Sequence, residues 1–171
     1  MRIMSKEDAR QVLHERTPDA FIAQVSGELR FLAGPYLTPS NSGALTALSK
    51  LVAFLLPKDV PVCLCVTGWG VWTEHLDLFY GYRRSVGETR PLIEAPVHVF
   101  ERSDEDALVS VLCMVFYCGW DASLFDMRGQ FLLTISHDGW LEIRVDGEGL
   151  MKDMAVELEK FDLSLLKQST R

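Results

Sequence analysis

No segment of this 171-residue chain is apolar for the roughly 20 consecutive positions that a bilayer-crossing helix needs. The longest nearly apolar run, Ala107 to Cys118 (ALVSVLCMVFYC), stops well short of that. The opening MRIMSKEDARQ turns polar after four residues and does not read as a secretory signal. Cysteine is sparse. Cys63, Cys65, Cys113 and Cys118 all sit among apolar neighbours (PVCLCV and LCMVFYC), where thiols are expected to be buried and reduced. A zinc site wants a C-x₂₋₄-C pair with a second pair or histidines. Here one pair is C-x-C in a strand pattern and the other is C-x₄-C at the end of a helix pattern, so no metal is expected. These absences point to a cytoplasmic protein.

Positive charge is also short. The chain has 17 Lys and Arg against 24 Asp and Glu, a net charge of −7. Residues 1–100 balance, with ten acids and ten bases; residues 101–171 carry fourteen acids and seven bases. The acidity therefore lies in the C-terminal part. It repels phosphate backbones and argues against nucleic-acid binding. The complementary partner would be another protein, of basic character. No Pro/Gly/Ser linker, low-complexity tract or repeat divides the chain, which suits one domain over residues 1–171. Gly-Trp recurs at Gly68-Trp69, Gly119-Trp120 and Gly139-Trp140, but at unequal intervals with different flanks. There is no G-x-G-x-x-G, G-x-S-x-G or H-E-x-x-H motif, and no cofactor is expected.

The 48% of apolar residues is ample for a core, and its patterning can be followed along the chain. Ser5 and Asp8 open a helix from Lys6 to Glu15. Thr17-Pro18 starts a second, in which Phe21, Ile22, Val25, Leu29 and Leu32 recur at helical spacing until Gly34-Pro35 ends it. Ser40-Asn41-Ser42 caps a third, with Leu45, Leu48, Leu51, Val52 and Leu55 in one stripe, stopped by Pro57. Pro61 to Thr67 is apolar on both faces and predicts a strand covered on both sides. His75 to Arg83 alternates, with Leu76, Leu78, Tyr80 and Tyr82 on one face, and predicts a strand. A turn at Ser85–Glu88 returns it through Leu92 to Phe100, with Pro96 marking an edge. Ser103-Asp104-Glu105-Asp106 reads as a capping box for a helix from Asp104 to Tyr117, apolar nearly all round. Three short strands follow, then a helix from about Leu150 to Phe161.

The stretch TISHDGW, Thr134 to Trp140, sets Ser136, His137 and Asp138 side by side. These are the residue types of a hydrolytic triad. Strand register decides between an active site and a turn. A two-residue Asp138-Gly139 loop sets Ile135 opposite Glu142 and Leu133 opposite Arg144. A three-residue His137-Asp138-Gly139 loop sets Ile135 opposite Leu141, Leu133 opposite Ile143 and Phe131 opposite Val145, so the apolar sets match. Gly139 then takes the left-handed position. Three consecutive residues of a tight turn do not form a relay of hydrogen bonds, so the turn is the better reading. An Arg128-Gly129 loop pairs Leu124 with Leu133 and Ala122 with Ile135. The other face then carries Asp121, Ser136 and Trp140 in one row, Ser123, Thr134 and Glu142 in the next, and Phe125, Leu132 and Arg144 in a third. That face is expected to be part of the exposed surface, and Asp121, Ser136, His137, Asp138 and Trp140 cluster at one of its corners as a candidate partner-binding site.

Three other stretches carry chemistry. Arg83, Arg84 and Arg90 lie near Tyr80 and Tyr82, a mixture that binds phosphate when exposed; internal ion pairs, such as one to Glu88, are the plainer reading. Trp69 and Trp72 in TGWGVW suit a ligand loop or core closure. His75, Asp77 and His98 would meet across the expected hairpin as an unfamiliar enzyme or sensor site, or as paired polar residues on a wet sheet face. The fold expected is α+β, an antiparallel sheet of about five or six strands with helices on at least one face and an N-terminal helical segment. The helix from Asp104 packs on the face of Trp120, Leu133 and Ile143, and the three N-terminal helices form a separate layer. The function expected is a small non-catalytic binding protein.

Overall fold

A computed structural model describes residues 1–13, 17–68 and 74–161. Its elements in chain order are β1 (Arg2–Met4), α1 (Lys6–Val12), α2 (Pro18–Glu28), β2 (Phe31–Leu37), α3 (Ser42–Leu55), β3 (Val62–Gly68), α4 (Glu74–Ser85), β4 (Val97–Phe100), α5 (Glu105–Cys118), β5 (Asp121–Asp126), β6 (Phe131–Ser136), β7 (Trp140–Val145) and α6 (Glu148–Lys160). The strands form one antiparallel sheet in the order β1-β4-β3-β5-β6-β7-β2. This is an α+β fold, with seven strands where five or six were expected.

Both faces of the sheet are covered. On one, Val62, Leu64, Leu124, Leu133 and Ile143 pack with Leu48 and Val52 of α3, Val111 and Leu112 of α5 and Met154 of α6. Trp120 belongs to this core, as expected. On the other, Cys63, Cys65, Val99, Phe125 and Leu132 pack under Ala9 of α1 and Phe21 and Val25 of α2. The double cover explains why PVCLCVT is apolar at every position. It also corrects the third row of the expected exposed face: Phe125 lies beneath Phe21, ring centroids 5.3 Å apart. The N-terminal helices divide, α1 and α2 on one face and α3 against α5 on the other.

The hairpin registers follow the apolar matching. Ile135 pairs with Leu141, Leu133 with Ile143 and Phe131 with Val145; Ala122 pairs with Ile135 and Leu124 with Leu133. Gly129 and Gly139 take positive φ in the two loops. Ser5, Thr17 and Asn41 accept the capping bonds from Asp8, Ala20 and Ala44. Ahead of α5 the box sits earlier than the sequence suggests: Glu101 and Asp104 cap a 3-10 turn, Arg102–Asp104, that leads into the helix.

Two elements differ in kind. Leu32 is not in a helix. Helix α2 stops at Glu28, and Phe31–Leu37 forms the sheet's edge strand β2 beside β7. Gly34-Pro35 is the irregularity between Ala33 and Tyr36 in that strand. A side chain on Gly34 would meet the Leu141 carbonyl at 3.0 Å and its φ is 111°. Pro35, with no N–H to donate, suits an edge. Residues 75–83 are not a strand but the body of α4. Phe79 and Arg83, one helical turn apart, are its buried residues, while Leu78 faces solvent. Of the expected returning strand only Val97–Phe100 pairs.

Candidate functional site

The corner assembles from the ends of five strands, β2, β3, β5, β6 and β7. Gly119 closes α5 in the left-handed conformation, and Trp120 then turns into the core. Strand alternation puts the next side chain, Asp121, on the opposite face. There it lies over Gly68, its partner on β3. A Cβ on Gly68 would stand 2.5 Å from Asp121 Oδ2, so glycine is what admits the carboxylate. From the hairpin tip, the backbone N–H of His137 donates to Asp121 Oδ1 at 2.8 Å. The imidazole Nδ1 lies 2.9 Å from Oδ1 and 2.8 Å from Oδ2. Thr67 Oγ1 donates to the Asp121 carbonyl, and the Thr38 N–H donates to Gly139 at the tip. Trp140 is half-buried opposite Ser136 and Leu37.

One carboxylate thus receives the backbone and ring of a single histidine. This fixes the proton on Nδ1 and turns Nε2 outward, 3.4 Å from Asp138 Oδ1. The hydrogen bond to Asp121, its charge and that of Asp138 raise the His137 pKa above 6.5. His137 is 49% exposed and Asp138 70%. Asp121→Asn is expected to lower the titration midpoint of the His137 ring, followed by NMR. An unchanged midpoint would mean that the pair does not persist in solution.

An Asp-oriented histidine is the base half of a catalytic triad. The nucleophile half does not line up. Ser136 Oγ accepts from the Asp138 N–H at 3.2 Å, and no hydroxyl or thiol among the described residues bonds to His137 Nε2. Compared with protein-family models, curated proteins and solved structures, the chain finds no match. The chemistry of the corner therefore rests on its geometry.

The other candidates do not converge. Trp69 and Trp72 lie outside the described residues. His75 and Asp77 ride on α4 and His98 on β4, so they do not face each other across a hairpin. Aromatic rings lie between the two histidines: His98 meets Phe79 at 5.2 Å with the rings tilted 57° apart, Phe79 meets Trp120 edge-on at 5.4 Å, and Trp120 lies 6.4 Å from His75. His98 is wholly buried; burial, then the charge of Arg83, pull its pKa down to about 4. Asp77 is exposed.

Two of the three arginines are structural. Arg83 is buried and donates to the carbonyls of Ala95 and Arg90. Arg90 grips Glu88 at 2.5 Å and donates to Ile3, and Glu88 is thereby held down to about 2. Arg84 alone is exposed, which leaves no cluster for phosphate. No group of three metal-ligating side chains occurs among the described residues, and none of the described helices is long and apolar enough to cross a membrane. Register arithmetic brought the five corner residues together. It did not reveal Gly68 and Thr67, whose place depends on the β3–β5 pairing, a long-range contact with no local signal.

Proposed function

We propose that this chain is a cytoplasmic, non-catalytic binding protein that meets a basic protein partner through the corner of Asp121, Ser136, His137, Asp138 and Trp140. The observation that carries the reading is the Asp121–His137 pair itself. It is exposed, held by three short contacts, and bonded to no hydroxyl or thiol among the described residues. A polar group fixed before binding loses little entropy on binding, and a neighbouring half-buried tryptophan adds apolar contact. The acidic balance of residues 101–171 supports a basic partner. Size and acidity suit an inhibitor- or immunity-like role, by analogy alone.

The test is a capture experiment from the source cells with the tagged chain and with a double variant, Asp138→Ala and Trp140→Ala. Asp138 is exposed and Trp140 half-buried, so the variant should lose no more than about 3–6 °C in thermal midpoint and remain folded. The expected result is a specific protein retained by the parent chain and lost by the variant. If the same protein is held equally by both, the corner is not the interface.

A further inference from the structure

On the second face of the sheet, beside the corner, lies a cleft of about 380 Å³. Its lining includes Cys65 and Thr67 of β3, Leu92 and Ile93 of the loop before β4, Lys6 at the start of α1 and Asp19 in the first turn of α2. The volume is within the range of small-molecule sites, about 300–1,000 Å³. Two features separate it from a packing gap.

The first is its outer wall. Ile93 is 73% exposed, on a loop where solvent should favour a polar residue. That loop is clamped in place. Arg83 holds the carbonyls of Ala95 and Arg90, and Glu94 and Ala95 donate back to Pro91. The Lys6 N–H donates to the Glu94 carbonyl and ties the wall to α1. A buried arginine that makes no salt bridge among the described residues, with only the more distant charge of Glu88 to offset it, is costly to desolvate, and here it fixes a loop that displays apolar side chains. The second is charge. Lys6 and Asp19 both line the cleft, and neither makes an ion pair among the described residues. The walls therefore offer an unpaired cation and an unpaired anion around an apolar interior.

We propose that this cleft binds a small zwitterion with an apolar body, an apolar α-amino acid, with its carboxylate at Lys6 and its ammonium at Asp19. The body lies against Leu92 and Ile93. The cleft borders the corner at Thr67, but this assignment does not depend on the corner's role.

The probes are L-leucine and L-phenylalanine, with N-acetyl-L-leucine and L-leucinamide as controls that each lack one charge. Binding is read by thermal midpoint and by NMR shifts on the full chain. At about ten times the dissociation constant the midpoint should rise by about 3–6 °C, with shifts centred on Lys6, Asp19 and Ile93. Each control should bind at least roughly tenfold more weakly, as one charge-assisted hydrogen bond is lost. Lys6→Met should erase the preference for leucine over leucinamide, and Asp19→Asn the preference over the acetylated form. Both positions are exposed, so the variants should fold. No response to either amino acid, shifts centred elsewhere, or preferences unchanged in both variants would overturn the assignment.

Discussion

Replacing Trp120 with alanine is expected to destabilise the fold by about 3–5 kcal/mol, the range for deleting a buried large aromatic side chain. Trp120 is wholly buried at the junction of α5 and β5. Its ring meets Phe79 edge-on at 5.4 Å and His75 at 6.4 Å, so it fastens α4 to the main core. Edge-to-face packing adds about 0.5–1.5 kcal/mol to the burial itself. The surrounding strands are hydrogen-bonded and cannot close over the void. A domain of this kind has only about 5–15 kcal/mol in hand, so the variant should be close to unfolding. Trp140→Ala, at the half-buried corner, should cost less than about 1.5 kcal/mol. Urea unfolding followed by circular dichroism measures both. A Trp120→Ala loss below about 1.5 kcal/mol would mean that α4 is not anchored through this ring.

Stability should also fall by roughly 3 kcal/mol as the pH drops from 6.5 towards about 4, through His98. In the unfolded chain this imidazole takes its proton near 6.5; in the fold it resists until about 4. Between those values the unfolded state binds more protons, so acid favours it. Above 6.5 both states are neutral at this site and the effect is fully present as stability. Burial is the main cause, and Arg83 adds repulsion; the backbone of Leu64 and the charge of Glu88 pull the other way, too weakly to offset it.

His98→Leu should therefore flatten the acid limb between pH 6.5 and about 4 while leaving stability at pH 7 nearly unchanged or higher, because it replaces a buried polar ring with an apolar side chain. Glu88 acts in a separate window. Its stabilising contribution is lost only as pH falls from 4.5 through about 2. His137 has the opposite sign: its raised pKa stabilises below 6.5, and the effect fades as pH rises through the folded value. It is surface-exposed and small by comparison. Urea midpoints at several pH values, for the parent chain and His98→Leu, test this. A parallel acid limb in the two proteins would remove His98 as the cause.

The reach of the sequence differed between elements for physical reasons. Strands β5 to β7 were legible down to the residue pair, because a slip of one position would have set Ile135 against Glu142 and buried charge. The corner came from the same arithmetic, since Asp121, Ser136 and Trp140 are fixed once register is fixed. The helix starts at Ser5, Thr17 and Asn41 were legible because a cap is a local hydrogen bond.

Residues 75–83 read as a strand and fold as helix α4. Alternation of Leu76, Leu78, Tyr80 and Tyr82 fits a strand, while His75, Phe79 and Arg83 fit a helix stripe. The decision fell to what was available to cover Phe79, namely Trp120 and His98. Gly34-Pro35 reads locally as a helix stop. It became a strand irregularity because β7 offered an unpaired edge. By itself the sequence determined the caps at Ser5, Thr17 and Asn41, the hairpin registers and the acidic C-terminal balance, all set by neighbours along the chain or by one periodic match. Only the tertiary structure decided that Asp121 would hold His137 over Gly68, and that Arg83 would turn inward to fix the cleft wall, because both depend on contacts between segments far apart in sequence.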